Sequence, residues 1–166
     1  DINKYPVDIV EKPCTVDTLI KIVETYMETH ATTVTTEEGM RKVYTDTVVT
    51  LDHSYLVKKA KNESTKTDML YNLGEALTSL KRRYPIAIII LSQLGRHVET
   101  SERNEDGKYG NYILETDILG GDALLQHADL VIGINRPAMK FIQYYGPDRY
   151  MISNDSTLVF HFLKTR

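Results

Sequence analysis

Two apolar runs, each stopped by a polar side chain, constrain this chain more than any other feature. Val48-Val49-Thr50-Leu51 ends at Asp52, and Ile86-Ala87-Ile88-Ile89-Ile90-Leu91 ends at Ser92-Gln93. Runs this short and apolar suit strands buried inside a sheet. Between them Met69, Leu70, Leu73, Ala76, Leu77 and Leu80 share one helical face, and Lys81-Arg82-Arg83 closes that segment at its negative dipole end. Strand, helix, strand in this order predicts a parallel, right-handed βαβ unit. Ligands of open α/β sheets sit outside the carboxyl ends of the strands. An acid and an amide at neighbouring tips therefore mark the first place to look for chemistry.

The remaining segments extend the same class. Val7 to Val10 reads as a short strand, and Thr15 starts a helix whose apolar positions are Leu19, Ile20, Val23, Tyr26 and Met27. The threonine-rich stretch from His30 to Glu38 reads as loop, as does the lysine-rich stretch from His53 to Thr67, with a short helix inside it. Gly95 to Tyr112 is a long charged connection, of the kind that is functional or disordered. Gly120-Gly121 precedes a short helix, and Asp129 to Ile134, Phe141 to Tyr145 and Leu158 to Leu163 read as strands, the last two separated by the turn residues Gly146-Pro147-Asp148. The expectation is one α/β domain over 1–166 with a mostly parallel sheet, flanking helices and antiparallel strands at its C-terminal edge.

Composition narrows the function classes. A net charge of −3 gives no electrostatic case for DNA binding by the whole chain, so nucleic-acid contact would need a local patch or loops from several subunits. One cysteine, Cys14, excludes an internal disulfide and makes a reducing compartment, the cytoplasm, the expectation. No apolar stretch approaches the roughly 20 residues that span a bilayer. The five histidines show no metal-ligand spacing, which argues against zinc. The chain opens on Asp1 and closes on Arg166 directly after an apolar run, and the expectation is a piece of a longer protein.

Asp52 at a strand tip suits the water shell of Mg²⁺, which takes hard oxygen ligands; an aspartate there also serves as a plain turn or cap. Gln93 suits sensing a γ-phosphate or placing an attacking water, against the alternative of bonding to backbone. Lys164 and Arg166 lie two apart and project to one side, as cations reaching a phosphate or as a solvated chain end. The segment from Asp117 to Gln126 joins a diglycine to a helix start, where free N–H groups bind phosphate or simply begin a helix.

Taken together these residues resemble a family. Val48 to Asp52, followed by Tyr55-Leu56-Val57, looks like the Walker B strand of DnaB-type replicative helicases. Ile88 to Arg96 is similar to that family's LSQLNR motif, and Asp117 to Leu130 resembles its DLRESGSIEQDADL segment without a gap. Leu158 to Arg166, ending Lys164-Thr165-Arg166, is similar to its terminal KQR strand, and Val7 to Val23 to the segment before Walker B.

The resemblance implies the later part of a RecA-like, P-loop-type motor domain from an ATP-dependent hexameric DNA helicase, bacterial or phage, acting in the bacterial cytoplasm. Carried over, Asp52 holds Mg²⁺ through water, Gln93 couples the γ-phosphate to DNA loops, and Lys164 and Arg166 reach ATP in the adjacent subunit. Asp117, Leu119, Gly120, Gly121 and Asp122 would form the loop facing single-stranded DNA, with a primase or loader as further partners. The chain departs from the family in three places. It holds no G-x-x-x-x-G-K-S/T phosphate loop, Leu119-Gly120 stands in place of an Arg-Glu pair, and Tyr55 in place of glutamine. The rival readings are another RecA-type ATPase, such as a recombinase, and a non-catalytic scaffold that has lost the phosphate loop.

Overall fold

The first helix, α1 (Val16–Thr29), buries Val16, Val23 and Met27 and packs Leu19, Ile20 and Tyr26 against the same core. The chain is described by a computed structural model over residues 7–104 and 112–165. Thr15 precedes α1 without capping it, its hydroxyl meeting that of Thr18 at 3.1 Å. The start of α1 is instead pinned by Lys58 N–H donating to the Cys14 carbonyl at 2.9 Å. No strand forms over Val7 to Val10; Val7 and Ile9 are exposed, and among the described residues no strand pairs with this segment.

A second correction concerns the stretch from His30 to Glu38. It is not loop but most of a hairpin, β1 (Thr32–Thr36) and β2 (Gly39–Val43), paired antiparallel from Thr32↔Val43 to Thr36↔Gly39. Threonine and valine are β-branched and fit an extended pleat, and polarity alone misled the loop assignment. Gly39 carries φ +122, a backbone state open to glycine, which lets the chain reverse. The hairpin is tied to α1 by Glu28, which accepts from Lys42, from Tyr44 Oη at 2.8 Å and from Tyr84 Oη at 3.1 Å. The Lys42 bond, then the Tyr44 bond, hold the Glu28 carboxyl below its ordinary value.

The βαβ unit follows. Strand β3 (Thr47–Leu51) and strand β4 (Ile86–Ile90) pair in parallel, from Thr47↔Ile86 to Leu51↔Ile90. Between them α2 (Lys66–Arg83) opens on a capping box: Thr65 Oγ1 accepts from Asp68 N–H at 3.0 Å, and Asp68 accepts from Thr65 N–H at 2.8 Å. Met69, Leu70, Leu73, Leu77 and Leu80 are buried against α1 and the inner face of β3 and β4, where Val49, Leu51, Ile86, Ile88 and Ile90 point.

Beyond β4 come α3 (Ser101–Asn104), α4 (Gly121–Leu125), β5 (Leu130–Asn135), the small hairpin β6 (Tyr144–Tyr145) and β7 (Tyr150–Met151), and β8 (Val159–Thr165). The expected strand from Phe141 shrinks to two residues. β5 and β8 are antiparallel, with a register shift between Val131 and Ile132. Their second core is a polar cluster: Tyr145 Oη lies 2.6 Å from His161 Nε2 and accepts from Asn135 Nδ2 at 3.0 Å. Burial lowers the His161 pKa.

The sheet itself departs from expectation. Among the described residues only β3 and β4 are parallel, and four two-stranded pairs replace a mostly parallel sheet. The partner of β5 is β8, reached without a crossover, and antiparallel pairing needs none. The outer faces of the β3–β4 and β5–β8 pairs stay bare: Val48, Ile89 and Leu91 on one, Ile132, Ile134, Phe160 and Phe162 on the other, are exposed. No described helix is long and apolar enough to cross a membrane.

Candidate active site and loop

The parallel register brings the tips of β3 and β4 together. Leu91 N–H donates to the Leu51 carbonyl and Ser54 N–H to the Leu91 carbonyl, each at 3.0 Å, so the ladder continues past both strand ends. Asp52 and Gln93, the two polar residues that stop the apolar runs, are exposed at this carboxyl edge. His53 joins them: its Nε2 lies 3.3 Å from Gln93 Nε2, within reach of the amide N–H. His53 Nδ1 is buried and has no hydrogen-bond partner among the described residues. Ser54 Oγ meets Ser92 Oγ at 3.5 Å. Nothing in local patterning reports this histidine contact, a bond across 40 positions.

No group of three or more His, Cys, Asp or Glu that could hold a metal ion is present among the described residues. Asp52 alone offers one exposed carboxylate, and that fits Mg²⁺, which keeps most of its waters and takes its other ligands from phosphates. It does not fit zinc or a caged calcium.

Directly after Gln93 the chain is stitched to the loop at 117–122. Leu119 N–H donates to the Gln93 carbonyl at 2.8 Å and Gly95 N–H to the Asp117 carbonyl at 2.6 Å, around an antiparallel bridge between Leu94 and Ile118. The Gln93 backbone and Leu119 are therefore joined directly by one bond.

Within the loop the expected DNA-facing residues divide. Asp117 is corrected: its side chain is fully buried and bonded, so it shapes the loop from beneath and offers no surface. Gly121 is buried as well, its N–H donating to the Ile118 carbonyl at 2.9 Å. Leu119 and Gly120 are half-buried, and Asp122 is exposed. Gly120 has φ +67, and a Cβ there would lie 2.3 Å from Leu70 Cδ1. We expect Gly120→Ala to lower stability by about 1–3 kcal/mol through backbone strain and overpacking on α2, read as a shift in denaturation midpoint. An unchanged midpoint would show that the turn relaxes.

Lys164 half-faces the interior, and its Nζ donates to the Leu125 carbonyl at the end of α4. Arg166, its expected companion, lies outside the described residues.

No family model and no curated protein sequence matches the chain. Among solved structures it is similar to that of a DnaB-like replicative helicase and its interactions with primase, with TM-score 0.72 and 17% identity. The fold is that of a DnaB-like helicase domain. The alignment covers 99% of this chain and 33% of the DnaB-like one. A second similar structure, an ATPase domain, has TM-score 0.66 and 16% identity, covering 99% of this chain and 57% of that one. The chain thus spans a third of one relative and little more than half of the other.

Proposed function

We propose that the chain is the later part of the motor domain of a hexameric replicative DNA helicase, coupling ATP hydrolysis to movement along single-stranded DNA. The observation that carries this reading is the direct backbone link from Gln93, at a strand tip beside Asp52, to Leu119 in the adjacent loop. A nucleotide at the tips and DNA at the loop would then share one stiff connection. The bare apolar outer face of the β3–β4 pair supports it too, because parallel strands are ordinarily covered on both sides.

In this reading Asp52 orients the water shell of Mg²⁺, whose charge would offset that of the β- and γ-phosphates. Gln93 offers its amide to the γ-phosphate, and His53 holds that amide in one orientation until a phosphate competes for it. Lys164 releases the Leu125 carbonyl to reach the nucleotide of the neighbouring subunit, together with Arg166. Gly120 offers its backbone N–H to single-stranded DNA while the Leu119 N–H stays on the Gln93 carbonyl, and a primase or loader docks elsewhere on the ring. The phosphate loop comes from sequence outside this chain.

The test is Gln93→Ala in the intact protein. Nucleotide affinity is expected to stay within about twofold, while unwinding falls by about a hundredfold, since an amide sensing charge acts after binding. Full unwinding by that variant would remove Gln93 from the coupling. If the intact gene encodes no phosphate loop, the scaffold reading replaces the motor.

A further inference from the structure

Resting on that reading, one buried group still lacks a task. Asp117 is fully buried, yet it is the most heavily bonded carboxylate near the loop. Arg103 Nη1 donates to Oδ1 at 3.0 Å and Arg103 Nη2 to Oδ2 at 2.8 Å. Leu114 N–H donates to Oδ2 at 2.8 Å, and His97 Nε2 lies 2.8 Å from Oδ1. Arg103 Nη2 also donates to the Tyr112 carbonyl at 2.6 Å. Arg103 belongs to α3 and His97 to the turn just after the Gln93 tip, so the grip joins three separate stretches of chain. Its position matters: Asp117 is the first residue of the segment stitched to Gln93, and Gly120 begins two residues after the Leu94–Ile118 bridge.

We infer that Arg103 is a positioning residue for the DNA loop, a fork whose grip on Asp117 holds the 117–119 stem against the Gln93 tip. A planar guanidinium suits this because two parallel bonds fix an angle as well as a distance, which a lysine ammonium does not. With the fork in place, the loop reports the position of Gln93. Without it, the stem is free to part from β4 while the strand tips stay as they are. Burial works against the ionised Asp117, and Arg103, the Leu114 N–H and His97 outweigh it, so the carboxyl titrates below its ordinary value.

The experiment compares wild type, Arg103→Ala and Arg103→Lys in the intact helicase, using a single-stranded oligothymidine as probe. Arg103→Ala is expected to leave ATP turnover without DNA within about twofold, and to raise the oligonucleotide concentration for half-maximal stimulation about tenfold or more. Arg103→Lys is expected to behave like alanine, because the charge is restored but not the fork. Hydrogen exchange at the Gly95 and Leu119 amides should quicken in both variants, and those at Leu91 and Ser54 should not. If Arg103→Ala does not fold, Arg103→Lys and His97→Ala carry the same measurements.

An unchanged half-saturating oligonucleotide concentration in Arg103→Lys, or a proportional fall in stimulated and unstimulated turnover, would overturn the inference. A wild-type protein that DNA does not stimulate at all would instead count against the helicase reading itself, a separate outcome.

Discussion

Arg166→Ala in the intact protein is expected to cut DNA-stimulated ATP turnover by about a thousandfold while leaving nucleotide binding within a few-fold. A guanidinium supplied from a neighbouring subunit stabilises charge that develops on the transferring phosphoryl group, and such arginines account for factors of about 10³ to 10⁵. Ground-state affinity rests on other groups, chiefly the phosphate loop, so it should barely move. Lysine should not rescue, since it presents a point charge where a planar fork is needed. Mixed rings sharpen the test. If Arg166 acts across the interface, each variant subunit silences its neighbour's site, and a variant lacking its own phosphate loop can still donate the finger. Normal turnover in Arg166→Ala would dismiss the trans role, and with it the reason for placing Lys164 there.

The second large effect is on stability. Asp117→Ala leaves the Arg103 guanidinium, itself only 17% exposed, beside a cavity with no carboxylate. Removing one partner of a buried pair typically costs about 3–5 kcal/mol, because the remaining charge stays desolvated and unpaired. Against a domain stability of about 5–15 kcal/mol that is a large share, and chemical denaturation should show it as a lower midpoint. The pH dependence gives an independent reading. Asp117 titrates below its ordinary value of 3.8 when folded, so its contribution is complete above that pH. It is lost as the pH falls further, through the depressed folded value. Wild type should therefore lose stability on acidification over that range, and Asp117→Ala should lose less. Identical acid limbs would mean that the carboxylate is not held ionised by Arg103 and His97.

These two experiments probe different layers of the protein. The arginine-finger experiment concerns a chemistry that only the sequence resemblance implies. The buried aspartate concerns geometry that no motif describes. Between them lies the Gln93–Leu119 bond, which Gln93→Ala and Arg103→Lys approach from opposite ends.

What could be read from the chain alone was local and periodic. Met69 through Leu80 recur at helical spacing, so α2 and its buried face were legible. The apolar runs ending at Asp52 and Gln93 were legible as parallel neighbours, because a buried strand needs an apolar side chain at nearly every position. Three segments were not. The threonines of β1 are polar yet β-branched, and polarity was the wrong cue. Val7 to Val10 has the alternation of a strand, but a strand also needs a partner, and sequence does not say whether one is present. The partner of β5 was likewise decided by where β8 comes to lie.

The site divides along the same line. Sequence by itself determined which side chains stand at the strand tips, since that follows from where hydrophobicity stops. Only tertiary structure decided that His53 touches Gln93, that Lys164 bonds the Leu125 carbonyl, and that Asp117 lies beneath the loop in the grip of Arg103. Those contacts join residues 14 to 40 positions apart. Their energies depend on distance and desolvation, quantities that exist only once the chain is folded.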